Sequence, residues 1–245
     1  MTDRRAELAA NLAAIRQRIE AACAAAGRDP AGVTLVVVTK FFPASDIELL
    51  AGLGVTDIGE NRDQEAGPKV ADLSPEVAGG VRVHFIGQLQ TNKARSVARY
   101  ADVVHSVDRA RLVTALDKAA GAALDAGERT AYLEVLLQVD LEEGERAGRG
   151  GVLPGQVAEL ADRVAQAEHL RLRGVMAVAP PGLPENGTRA AFARLAQASR
   201  QVAEVVPEAR LISAGMSGDL ELAVAEGATH LRVGSAILGS RPAPR

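Results

Sequence analysis

Short β-branched apolar runs alternate with helical patterns along the whole chain, and this alternation restricts the fold more than any other feature. Eight runs read as strands: Val33–Thr39, Val55–Gly59, Val83–Ile86, Val103–Ser106, Ala131–Val139, Leu170–Val178, Leu211–Ala214 and His230–Val233. Such runs suit parallel strands covered on both faces. Helical patterns fall between them at Ala44–Leu53, Asn61–Val70, Asn92–Arg99, Arg109–Ala123, Leu153–Ala167, Arg189–Val205 and Ser217–Glu226. Asp108 and Ser217 are candidate N-caps, and Gly54, Gly127 and Gly227 are candidate helix stops. Strict β–α alternation at this length predicts an α/β fold, a single (β/α)₈ TIM barrel over residues 33–239, within one domain spanning 1–245. Residues 1–27 add an amphipathic helix, with Leu8, Leu12, Ile15 and Ile19 on one face. The competing open, doubly wound sheet would carry a glycine fingerprint after the first strand, where Thr39-Lys40-Phe41-Phe42 stands instead.

Hydrophobic residues make up 47 % of the 245-residue chain but aromatics only 2 %, so Ala, Val, Leu and Ile must build the core. A net charge of −3 gives no electrostatic case for nucleic acid or an acidic membrane. The single cysteine, Cys23, has no internal disulfide partner, and no Cys/His cluster suggests a metal. No run approaches the roughly 18 apolar residues of a membrane span. The Ala/Arg-rich start carries Asp3, Glu7 and Glu20, unlike a transit peptide. The expected compartment is the cytoplasm, and a monomer is the expected state.

Barrel active sites collect at the carboxyl ends of the strands. Lys40 ends the first run and is followed by Phe41-Phe42-Pro43. Apolar neighbours disfavour an ammonium and free the amine for Schiff-base chemistry. Ser217-Gly218 follows the seventh strand and Gly234-Ser235 the eighth, where this fold holds phosphate on unpaired backbone N–H groups. Arg232 lies near the end of the eighth strand; pointing into the mouth, it would offer a fixed cation to a ring nitrogen or a carboxylate. An imine-forming lysine, a phosphate cradle and an arginine between them outline pyridoxal 5′-phosphate. An arginine would not give the ring a full proton, so the electron-sink power of the cofactor would be weak. A cofactor-free Schiff-base aldolase also places these parts in this way. The charged loop over 140–151 follows the fifth strand and sits where a lid belongs, as does the loop over 179–187.

The stretches Val37-Val38-Thr39-Lys40, Gly59-Glu60-Asn61, His84-Phe85-Ile86-Gly87-Gln88-Leu89-Gln90-Thr91-Asn92-Lys93, Gly174-Val175-Met176, Ala214-Gly215-Met216-Ser217-Gly218-Asp219 and Arg232-Val233-Gly234-Ser235 closely resemble the pyridoxal phosphate homeostasis proteins, the YggS family. That family has a single barrel resembling the amino-terminal domain of alanine racemase, a fold type III cofactor-binding barrel. The resemblance implies that Lys40 carries the cofactor as a Schiff base. It implies that Ser217, Gly234 and Ser235 bind its phosphate, that Arg232 faces the pyridine nitrogen, and that Asn61 and Met216 line the ring pocket. It also implies a role in vitamin B6 and amino-acid balance, with cofactor-requiring apoenzymes and amino acids as partners. Ala214 departs from the methionine of many relatives.

The alternative to a carrier is a racemase-like enzyme dependent on the same cofactor. A barrel racemase takes its second acid/base from a separate β-domain, for which the tail after Val233 leaves no room. Tyr100, late in a helix, and Tyr132, opening a strand, are poorly placed as bases. His84 is expected early in the third strand. His105 is expected to end the fourth strand, at the rim, and is the histidine to test as a general base.

Overall fold

A computed structural model describes residues 3–142 and 150–240. Helix α1 (Arg4–Ala25) starts at Asp3, whose carboxylate accepts from the Arg5 N–H, and buries Leu8, Leu12, Ile15 and Ile19. The β–α units then follow in order: β1 (Thr34–Val38), α2 (Ala44–Ala51), β2 (Asp57–Glu60), α3 (Asp63–Ala71), α4 (Pro75–Gly80), β3 (Arg82–Phe85), α5 (Ala94–Tyr100), β4 (Val103–Val107), α6 (Ala110–Asp125), β5 (Leu133–Gln138), α7 (Val157–Ala165), β6 (Leu170–Met176), α8 (Glu185–Val205), β7 (Leu211–Ser213), α9 (Leu220–Ala225), β8 (His230–Val233) and α10 (Ser235–Leu238).

All eight strands pair in parallel in sequence order, and β1 closes on β8, with Val36 opposite Arg232. This is the (β/α)₈ barrel that the alternation predicts. Gly54, Gly127 and Gly227 stop helices in the left-handed region, at φ 78°, 69° and 96°. No helix among the described residues is long and apolar enough to cross a membrane.

The main apolar core lies between strands and helices, from Val37 and Ile58 outward to Leu116, Leu160 and Phe192. The barrel interior differs. Val103, Leu136 and Met176 form a small separate cluster against Leu211. Beside it His84, His105, Ser213, His230 and Arg232 are buried. Barrel interiors are usually packed with branched apolar side chains, so this polar half is a departure that needs a reason.

Several boundaries differ from the sequence reading. Helix α4 was not expected; Pro75 at its first position makes it possible. Asp108 does not cap α6, whose N-cap position is Arg109; Asp108 pairs with that arginine instead. Ser217 is not a helix cap either, because α9 starts at Leu220 after a turn that Asp219 closes by accepting from the Met216 N–H at 2.6 Å. Tyr132 precedes β5 and stacks under Arg171, 3.7 Å from the guanidinium carbon to its ring centroid. The loop expected over 140–151 falls mostly outside the described residues. Its two stems join through Asp140 N–H to Val152 O at 2.9 Å and Val152 N–H to Gln138 O at 2.8 Å.

Candidate functional site

Lys40 follows β1 and is half-buried. Its Nζ lies 5.9 Å from the Phe41 ring centroid, and Arg62 covers the same ring at 5.3 Å. Among the described residues, no hydrogen bond or ion pair engages this ammonium. The backbone that carries it is constrained. Phe41 has φ 71°, the only non-glycine described residue in the left-handed region, which is costly for a bulky side chain. Its N–H donates to Glu65 Oε1. Beneath it, Lys69 Nζ donates to Thr39 O at 3.1 Å, Glu60 Oε1 at 2.7 Å and Glu65 Oε1 at 3.1 Å. Thr39 Oγ1 adds a bond to Glu60 Oε1 at 2.6 Å. Burial lifts the Glu60 carboxyl above its usual range, against the pull of Lys69 and Thr39. This buried ionic knot anchors the strained turn, and the sequence reading missed it.

Asn61 follows β2, the strand next to β1, and is half-buried. Its backbone presses on Gly87 so closely that a Cβ there would lie 2.1 Å from Asn61 O. Gly234 ends β8 against Val38; a Cβ would meet Val38 O at 3.1 Å and Val38 Cβ at 3.2 Å. Gly234 occupies the N-cap position of α10, and Ser235 is its first residue. Across from them, Met216 and Ser217 lie in the turn after β7, with Met216 exposed. The Arg232 N–H donates to Gly215 O at 2.9 Å, which ties this turn to β8. Helix α1 holds both turns from behind. Arg18 Nη2 donates to Ser217 O at 3.0 Å, Asn11 Nδ2 to Ile237 O at 2.9 Å and Arg4 Nη2 to Leu238 O at 3.1 Å.

Arg232 is 5 % exposed and points into the barrel. Its Nη1 donates to Ser213 Oγ at 2.7 Å and its Nη2 to Ala177 O at 2.8 Å. Burial lowers its pKa to about 10, against the more distant charge of Asp219. Among the described residues no carboxylate touches it, and two of its five N–H donors are engaged. A buried guanidinium normally demands an anionic partner, so one that lacks it has capacity for a ligand.

The two histidines of the sequence reading lie elsewhere than expected. His105 sits inside β4 rather than at its end, and it is fully buried rather than at the rim. Burial, then the charges of His84, Arg232, His230 and Arg82, hold it well below the usual imidazole range, so it is no surface base. His84 is the third residue of β3 and bonds His105. Tyr100 ends α5 with its hydroxyl 3.4 Å from Asp63 Oδ1, and burial raises its pKa further from any use as a base. The signal for the buried histidines was available: each lies among apolar residues within a short strand.

The parts converge on one end of the barrel. There is an amine just after β1, two turns after β7 and β8 that present backbone N–H groups, and an arginine on β8; among the described residues the amine has no hydrogen-bond partner and the arginine no carboxylate. The donor set fits a phosphorylated aldehyde with a ring acceptor. These features define a barrel of the kind that heads alanine racemase. The sequence model described as alanine racemase, N-terminal domain, matches residues 4–242. The pyridoxal phosphate homeostasis protein of Mycobacterium tuberculosis is 44 % identical over 247 residues, covering 98 % of this chain and 95 % of that protein. The Escherichia coli protein of the same name is 36 % identical over 242 residues, covering 96 % and 97 %. PipY of Synechococcus elongatus, solved with PLP bound, superposes with a TM-score of 0.77 at 33 % identity, covering 95 % of this chain and all of that one. The chain belongs to the pyridoxal phosphate homeostasis protein family.

Proposed function

We propose that this chain, as a single-domain cytoplasmic monomer, holds pyridoxal 5′-phosphate as a Schiff base on Lys40 and serves vitamin B6 and amino-acid homeostasis with little or no turnover. The observation that carries this reading is Arg232: a buried guanidinium whose described partners are a hydroxyl and a carbonyl, on the strand that pairs with β1, which Lys40 follows two residues on. It suits a neutral ring nitrogen, an acceptor it can hydrogen-bond without surrendering a proton. The cofactor supplies an aldehyde carbon open to amines and a conjugated ring. Lys40 provides the amine, Ser217, Gly234 and Ser235 receive the phosphate, and Asn61 and Met216 flank the ring. The name shared by the relatives and the PLP bound to PipY support the cofactor. Exchange with free amino acids and delivery to apoenzymes complete the role.

The test is the visible spectrum of the purified chain supplied with pyridoxal phosphate. A yellow band that borohydride removes, absent in Lys40→Ala, is the expected result. Transfer of that chromophore to an apoenzyme supports the carrier role. A colourless protein overturns the reading, and steady racemisation of an amino acid that Lys40→Ala abolishes overturns the carrier part of it.

A further inference from the structure

Apart from His230, the polar half of the barrel interior forms a single chain of hydrogen bonds. From Arg232 Nη1 it passes to Ser213 Oγ at 2.7 Å and from Ser213 Oγ to His105 Nδ1 at 3.0 Å. From His105 Nε2 it reaches His84 Nδ1 at 2.8 Å, and from His84 Nε2 it ends on Asp57 Oδ1 at 2.8 Å. Asp57 opens β2, so the chain runs from the level of the candidate site to the amino end of the barrel.

Its direction follows from donor chemistry. A guanidinium only donates, so Ser213 accepts from Arg232 and sends its own proton to His105. His105 Nδ1 is therefore bare and Nε2 carries the proton, which goes to His84 Nδ1. His84 in turn carries its proton on Nε2 and gives it to a carboxylate. A doubly protonated His84 would reverse the bond to His105 and leave the Ser213 proton without an acceptor. Burial disfavours the ionised Asp57, but bonds from His84 and from Thr56, the latter at 2.7 Å, outweigh it and keep the carboxyl below its usual range. Every dipole in the chain then points its positive end toward Asp57.

We propose that Ser213, His105, His84 and Asp57 are positioning residues for Arg232. They fix its guanidinium through one-way hydrogen bonds, so that its free N–H groups are held ready for a ring acceptor. The pocket thereby selects a ligand whose ring nitrogen is unprotonated. This rests on the cofactor reading above, and the test separates the two.

The chain has four histidines, so imidazole nitrogens can be assigned by ¹⁵N–¹H correlation in the ligand-free protein. Both His84 and His105 are expected neutral at pH 7 with the proton on Nε2. A proton on Nδ1 of either, or a cationic ring, overturns the proposal. The second arm compares affinity for pyridoxal phosphate and for its 1-deaza analogue, in which C–H replaces the ring nitrogen. The wild type should prefer the natural ring about tenfold or more, the scale of a hydrogen bond to a charged group. Ser213→Ala should collapse that preference while holding the analogue as before, and Ser213→Thr should restore it. If Ser213→Ala weakens both ligands equally, the array is only structural and the proposal fails. If neither ligand binds the wild type, the cofactor reading fails, and the tautomers alone still decide the direction of the array.

Discussion

Lys40 is presented by a backbone that would not adopt its shape unaided. A left-handed Phe41 costs about 1–2 kcal/mol, and the knot of Lys69, Glu60 and Glu65 offsets it. Lys69→Met would leave two carboxylates without their cation, one of them fully buried. Chemical denaturation should show a loss of roughly 3 kcal/mol or more, and a loss below 1 would mean that the knot contributes little. Phe41→Gly should act in the opposite way. Urea unfolding should find it as stable as the wild type or about 1 kcal/mol more so, with weaker retention of the cofactor. A clear loss of stability would remove strain from the account. At this scale the sequence was legible only in part. Lys40 and Arg232 stood out because cations at strand ends are conspicuous. Lys69, Glu60 and Glu65 look like ordinary surface charges in sequence, since only folding brings α3 under the β1 turn. His105 was misplaced for a related reason: the polar pair His105-Ser106 looks like a strand end, although β4 runs on to Val107.

Among the elements, α1 stands apart from the eightfold repeat, yet it holds the turns proposed to bind phosphate. Replacing Asn11 and Arg18 together with alanine removes the bonds to Ile237 O and Ser217 O, and with them the exposed Arg18–Glu221 ion pair on α9, but leaves every strand intact. The double variant should bind pyridoxal phosphate roughly tenfold more weakly, as the loss of the two modest bonds that hold the turns implies. Its affinity for pyridoxal, which lacks the phosphate, should not change. Equal weakening of both ligands would place the effect elsewhere. The eight strands were legible because apolar, β-branched runs have few other uses in a chain of this length. The helix ends were less so. The turn after β7 looked like a helix start because Ser217 is a good cap, but Asp219, two residues on, closes the turn and moves the start to Leu220.

For the molecule as a whole, the buried histidines make stability depend on acidity. His105 sits among His84, Arg232, His230 and Arg82. His230 has His84, Asp57, Arg82 and Arg173 around it and Thr229 on its ring at 2.9 Å; burial, then His84, lowers its pKa to about 4. Both values lie below those of the unfolded chain, so the unfolded chain takes up protons first as the pH falls. Their contribution is complete above about pH 6.5 and is lost as the pH falls; that of His230 drains away toward pH 4 and is of the order of 3 kcal/mol. Urea midpoints should fall between pH 7.5 and 5, and less steeply in His230→Gln. A flat profile would contradict neutral burial. The linkage of α1 to the last turns has a further consequence, for biosynthesis. The bonds from Arg18 and Arg4 join residues 199 and 234 positions apart. A growing chain therefore displays the amine proposed to form the Schiff base long before the turns proposed to receive a phosphate have been made. The complete pocket forms only when β8 docks on β1, so the proposed capture of an aldehyde awaits synthesis of β8 and the turn after it.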